Sequence, residues 1–308
     1  MSARRVEEEI ERLGRLRDAA DPGAAAALRK ALTDRVGLVV AKAAKVAAAL
    51  ELHELIPDLL RAYERLFDKP AERDPQCWGK SAIAQALVSL DHREAVPFLR
   101  GARWTQMEPV WGGQEDTAAG LRGICLLALP ACAEARREIV FRCLVDGLAD
   151  RAQTVRVEAA RAIAQMGGDE APLLLRLKAR TGDGEPPVIG QVFDSLLGLE
   201  ANEAVPFVAG FLDSRGEEVS AEAALALGAS RLEAAVEALE RAWTATRDSA
   251  LRDALARALS VSRQPRAIGF LLDVVKSGRP AESAAALEAL SIHRETAEIW
   301  RQVEEARR

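Results

Sequence analysis

The stretch TVRVEAARAIAQMGGDEAPLLL, residues 154–175, decides the fold. Val155, Ala159, Ala162, Ile163 and Met166 fall at i, i+4, i+7, i+8 and i+11, one apolar face of a helix. Glu158, Arg161 and Gln165 form the opposite, polar stripe. Gly167 and Gly168 follow, where a left-handed residue ends a helix. Asp169 stands where the next helix needs an N-cap, and Pro172 falls in that helix's first turn, where its missing N–H does little harm. The reading is helix A, tight turn, helix B.

The second half of this unit recurs along the chain. HREAVPFL (92–99), DEAPLLLRL (169–177) and NEAVPFVAGFL (202–212) are the clear copies; HELIPDLL (53–60), RLEAAVEAL (231–239), PRAIGFLLDVV (265–275) and HRETAEIW (293–300) are weaker ones. Anchored on the Pro position, Pro172, Pro206, Glu237, Gly269 and Glu298 are separated by 34, 31, 32 and 29 residues, a period near 31. From Pro57 to Pro97 the gap is 40, about nine too long. From Pro97 to Pro172 it is 75, about 13 more than two periods, with the intervening anchor near Phe141. A single helix pair cannot bury its apolar face, but stacked pairs can. The expectation is an all-α protein, a right-handed α-solenoid of about eight helix pairs in one array over 1–308. Residues 1–33 hold two capping helices (3–19 and 23–33), residues 34–293 the repeats with a loop inserted at about 101–115, and residues 294–308 a C-terminal cap.

Composition agrees. Apolar residues make up 49% of the 308 but aromatics only 4%, so Ala and Leu, strong helix formers, carry the core. Net charge is −5 and the pI about 5.5, which argues against nucleic acid as a partner. Cys77, Cys125, Cys132 and Cys143 show no CxxC spacing and read as buried free thiols. The N-terminal MSARRVEEEIERLGRLRDAA has no apolar core of a secretory signal, and GLVVAKAAKVAAAL is broken by Lys42 and Lys45. A cytoplasmic protein with no membrane segment is expected.

VRVEAARAIAQMGGDEAPLLL resembles HEAT repeats of the short type first described in phycobilisome lyases, and the resemblance extends over about 34–300. It implies an armadillo-like solenoid and is nearly silent on chemistry, because that class spans scaffolds, bilin lyases, deoxyhypusine hydroxylase and, more distantly, DNA alkylation glycosylases. The hydroxylase resemblance would require several His-Glu pairs around two irons. This chain has only His53, His92 and His293, each at the turn between helices A and B, which reads as polar turn residues with no metal site. The glycosylase resemblance would require a basic groove. Trp104, Trp111 and Asp116 are present, but the B segments carry mixed charge. No Ser-His-Asp spacing, phosphate-binding loop or dinucleotide fingerprint occurs.

The extra residues after Pro97 fall in ARWTQMEPVWGGQEDT, 102–117. Loops this long are often functional. Trp104, Met107 and Trp111 offer the side chains favoured at interfaces. Gly112 and Gly113 permit close approach or positive φ. Asp116 sits where the next helix would be capped, and Arg100, Arg103 and Arg122 are near in sequence. These nine residues are the candidate partner-binding set. Two readings stand open: a binding element, or a loop folded back as an internal clamp. Trp78, Trp243 and Trp300 lie in helical segments and read as core or edge packing. The expected function is a non-enzymatic scaffold with no cofactor. It would bind a protein or peptide through its concave, helix B-lined face and the Trp loop; a ligand- or cofactor-handling enzyme of the lyase or hydroxylase type is the alternative.

Overall fold

The computed structural model describes residues 3–18, 23–132, 134–213 and 216–307. They form two compact units, residues 1–162 and 163–308. In the first unit α1 (Ala3–Asp18) and α2 (Ala24–Ala31) precede three helix pairs, α3 (Gly37–Ala49) with α4 (Ile56–Leu66), α6 (Trp78–Ser89) with α7 (Ala95–Gly101), and α8 (Ala119–Ala128) with α9 (Arg137–Leu148). A four-residue α5 (Pro70–Arg73) stands before α6, and strands β1 (Met107–Val110) and β2 (Gly113–Asp116) stand before α8. Helix α10 (Gln153–Met166) runs across the unit boundary. The second unit continues with α11 (Glu170–Thr181), α12 (Pro186–Glu200), α13 (Val205–Ala209), α14 (Glu217–Ser230), α15 (Glu233–Ala245), α16 (Ser249–Ser262), α17 (Pro265–Ser277), α18 (Pro280–Leu290) and α19 (Ala297–Ala306).

The architecture is the all-α solenoid expected, with A and B helices alternating in chain order. The A helices stack on one another: α1 on α3 and α3 on α6 in the first unit, and α12, α14, α16 and α18 in succession in the second. Their composition explains this. In α3, GLVVAKAAKVAAA, Val39, Val40, Ala41, Ala43, Ala44, Val46 and Ala47 are all buried, which leaves the helix covered on more than one side. Small side chains let the next backbone come close. A Cβ added at Gly228 of α14 would stand 2.2 Å from the Ala258 carbonyl oxygen of α16. The B helices carry larger side chains on a single stripe: α17 buries Ala267, Ile268, Leu271, Leu272 and Val275 and leaves its other face to water.

Helix α10 matches its sequence reading, with Val155, Ala159, Ala162 and Ile163 buried and Gly167 and Gly168 at φ +57° and +75°. Most other A helices end differently. Glu51, Asp91, Arg231 and Arg263 take φ between 54° and 56° at the same position, and Ala201 takes φ 47°, ψ −121°. Non-Gly residues are held there against a steric cost. Asp169 occupies the N-cap position of α11, but its side chain bonds no backbone N–H. Its own φ and ψ (−70°, −25°) are already helical, whereas a capping side chain needs an extended backbone to swing over the first turn. The stretch expected as the C-terminal cap supplies α19, which packs on α17, and no described helix is long and apolar enough to cross a membrane.

Two substitutions test these contacts. Gly228→Ala forces α14 and α16 apart and is expected to lower stability by about 1–3 kcal/mol in urea unfolding. Ala201→Gly relieves a conformation only Gly takes freely and is expected to raise it by about 1 kcal/mol; an unchanged midpoint in either case contradicts the packing or the strain described.

Candidate functional site

The inserted segment after α7 is a β-hairpin. β1 and β2 pair antiparallel with Val110 opposite Gly113 and Met107 opposite Asp116, so Trp111 and Gly112 make the turn. Gly112 takes φ +93°, a conformation that Gly supplies without strain. The segment read as an irregular loop therefore has its own ladder. A second excess lies where the Pro57–Pro97 spacing was about nine residues too long. It is the turn from Phe67 to Cys77, with α5 and a 3-10 turn at Pro75–Cys77. Lys69, Gln76 and Cys77 are all left-handed there, at φ 48°, 60° and 56°.

The two insertions pack against each other through buried polar groups. Gln106 and Glu108 are 3% and 6% exposed although they flank and begin a surface hairpin. Gln106 Nε2 donates to the Asp74 carbonyl at 2.8 Å and to Glu108 Oε1 at 2.6 Å. Gln106 Oε1 accepts from Cys77 Sγ and Trp104 Nε1, both at 3.3 Å. Glu108 Oε1 also accepts from the Gln76 N–H at 2.8 Å and Thr117 Oγ1 at 2.9 Å. Behind them Asp74 and Lys80 are wholly buried and paired at 2.8 Å. Asp74 also accepts from the N–H groups of Gly79 and Lys80, and Lys80 Nζ donates to the Leu66 carbonyl. Breaking such a pair by removing one partner costs about 3–5 kcal/mol. Burial alone would raise the Glu108 pKa, but hydrogen bonds from Gln106, Thr117 and the Gln76 N–H hold it below the usual 4.5. Burial pushes the Cys77 and Cys125 thiols up to about 12, so neither is a thiolate near neutrality.

The candidate residues divide into a base and a tip. At the base, Trp104 stacks edge-on against Phe67 with ring centres 4.8 Å apart. Arg100 lies over the other part of that cluster, 4.0 Å from the Phe67 ring, and pairs with Glu64. Arg122 is 5% exposed and fully engaged: it bonds both Asp150 oxygens at 2.7 and 2.9 Å, the Trp104 carbonyl at 2.9 Å and Asp116 at 2.7 Å. Expected to face a partner, it is turned inward because two carboxylates and a carbonyl compensate its buried charge. Asp116 does not cap α8, which starts at Ala119. Its Oδ1 accepts from the Gln106 and Ala118 N–H groups and ties the hairpin's two ends together. Its burial raises its pKa, and these donors with Arg122 outweigh that and lower it. Arg103 is exposed and lies near Cys143.

At the tip, Trp111 is 103% exposed, and Cβ atoms built at Gly112 and Gly113 would meet nothing within 4 Å. Val110, beside the turn, is 40% exposed, and Met107, at the other end of β1 opposite Asp116, is 48% exposed. Trp78, expected to pack, is 51% exposed at the start of α6, immediately after Cys77. It is the first residue after a left-handed turn, which holds it outside the helix stack. Trp243 is buried beside Phe270, and Trp300 is half-buried with Arg294 over its ring. Of the three His, His53 is exposed, but His293 is buried and its Nε2–H donates to the Ser260 carbonyl at 3.0 Å, a link between helix pairs and not a solvated turn. Among the described residues no three His, Cys, Asp or Glu side chains are grouped to hold a metal ion.

Residues 174–260 match the family model for HEAT repeats. That stretch is α11 through most of α16. No curated protein sequence matches the chain. Solved structures similar to it include human deoxyhypusine hydroxylase in complex with glycerol, 21% identical over 81% of this chain and 88% of that one, with a TM-score of 0.32. Two engineered proteins are each 19% identical, one over 99% of this chain and 87% of its own (TM-score 0.43), the other over 91% and 93% (TM-score 0.23). Likenesses this distant carry no argument about chemistry.

Removing the Glu108 acceptor tests the base. Glu108→Ala leaves the donors of Gln106, Gln76 and Thr117 without it and is expected to cost about 1–3 kcal/mol at pH 7. Because the folded pKa lies below 4.5, the wild type keeps this stabilisation above that value and loses it as pH falls through the folded pKa. Urea unfolding at pH 7 and below about pH 4 is expected to show the difference between variant and wild type shrinking with acid; a constant difference removes the carboxylate from the account.

Proposed function

We propose that this protein is a non-enzymatic helical-repeat scaffold that binds a protein or peptide partner, with the hairpin tip as its anchor. One observation carries the reading: Trp111 is wholly exposed on a hairpin whose base is fixed by buried hydrogen bonds. An indole in water forgoes the favourable burial an aromatic side chain of this size provides. Val110, next to the turn, is 40% exposed and adds apolar area near the tip. The hairpin is ordered before any partner arrives, which lowers the entropy lost on binding. Within each unit the B helices also leave apolar side chains uncovered: Val96 of α7 in the first is 73% exposed, and Leu173 and Leu177 of α11 in the second are 67% and 60% exposed. A cytoplasmic setting suits the reading, since the four cysteines are buried and unpaired.

The base and the tip give opposite results under mutation. Trp111→Ser is expected to leave the melting temperature unchanged, as exposed substitutions do, and to abolish recovery of a partner captured by the wild type. Trp104→Ala, at a half-buried ring, is expected to cost about 1–3 kcal/mol through the lost contact with Phe67. The proposal fails if Trp111→Ser retains every partner of the wild type, or if it lowers the melting temperature as far as Trp104→Ala does.

A further inference from the structure

A cavity of about 580 Å³ opens in the first unit between the α2–α3 turn, the end of α4 and α5. Its walls hold four cations, Arg35, Arg65, Lys69 and Arg73, and a single carboxylate, Glu72. That balance is out of keeping with a chain of net charge −5. Two of the cations are half-buried and fixed. Arg65 Nη2 donates to the Leu32 and Asp34 carbonyls at 2.6 and 3.2 Å, and Arg73 pairs with Asp68 at 2.8 Å from the other side. Burial first, and then the like charge of Arg73, lower the Arg65 pKa, and the Asp34 carboxylate offsets this only in part. Lys69 is held left-handed at φ 48°, a strained conformation for a residue with a side chain and one that collects at functional sites. Arg35 is exposed at the rim and shares its turn with Val36, whose N–H is fixed by Asp34 Oδ1 at 2.8 Å.

We propose that this cavity binds a phosphoryl group carried by a small molecule or by a phosphorylated side chain. Two guanidiniums give planar, forked donors that match phosphate oxygens, and Lys69 adds a compact charge. The volume exceeds what a bare phosphate fills and lies in the range of small-ligand pockets, which leaves room for the group that bears it. One cluster of this size holds one phosphoryl group; a nucleic-acid backbone would need a track of cations. The site is independent of Trp111 and stands or falls without it.

The test is calorimetric titration of the full chain at fixed ionic strength with pyrophosphate, with a phosphoserine peptide and with its unphosphorylated form. The phosphorylated probes are expected to saturate one site and to raise the melting temperature, as any ligand of the folded state does. The unphosphorylated peptide is expected to be silent. Arg35→Gln/Lys69→Gln removes two exposed cations and is expected to weaken binding at least tenfold, with the ligand-free melting temperature unchanged; Arg35→Gln alone serves if the pair impairs folding. Arg61→Gln, an exposed cation outside the cavity, is expected to bind as the wild type. Tighter binding of the phosphopeptide points to a modified partner chain, and tighter binding of pyrophosphate to a small molecule. Absence of saturable binding, equal effects of chloride, or equal loss in Arg61→Gln overturns the proposal.

Discussion

The close approach of the A helices is the constraint on which the rest depends. Ala and Gly along α3, α14 and α16 bring successive backbones together, and at Gly228 the neighbouring carbonyl leaves no room for a methyl group. Helices covered on several sides bury their apolar groups without large side chains, which is how a core forms with 4% aromatics. The B helices then need only one apolar stripe. Their outer faces are freed from packing, and these carry the exposed Val96, Leu173 and Leu177.

On this regular frame the first unit carries two departures, and each solves a problem posed by the other. The turn from Phe67 to Cys77 buries Asp74 and Lys80 and directs the Asp74 carbonyl and Gln76 N–H towards the hairpin. The hairpin places Gln106 and Glu108 against them. Phe67 adds the apolar side of the contact, lying between Tyr63 and Trp104 with Arg100 above it. The result is a projection stiff at its base and open at its end, so the clamp and the recognition element are parts of one hairpin.

The repeat was legible in the sequence because periodicity in Ala, Val and Leu reports burial directly. The spacing arithmetic also placed the inserted loop near 101–115 and showed about nine extra residues between Pro57 and Pro97 without placing them. What filled them was not legible. Four-residue strands containing Pro109 and Glu108 show neither alternation nor strong β propensity, and the turn is Trp-Gly instead of the Asn-Gly that signals a hairpin. Trp104 and Trp111 look alike as residue types, and only the stack on Phe67 separates a half-buried, packed ring from a free one. Asp116 read as a cap because it precedes a helix; its bonds to Gln106 and Arg122 depend on tertiary placement. The left-handed Glu51, Asp91, Arg231 and Arg263 were equally hidden, since residue identity marks such positions only when it is Gly or Asn.

The interlocking of the two insertions constrains how this array changes over evolution. Deleting the hairpin alone takes the Glu108 acceptor from the Gln76 N–H, and deleting the Phe67–Cys77 turn alone takes the Asp74 carbonyl from Gln106 and the Gln76 donor from Glu108. Each half-step passes through a form with orphaned buried polar groups, while loss of both returns plain repeats of even length. Sequences descended from the same ancestor should therefore carry both segments or neither.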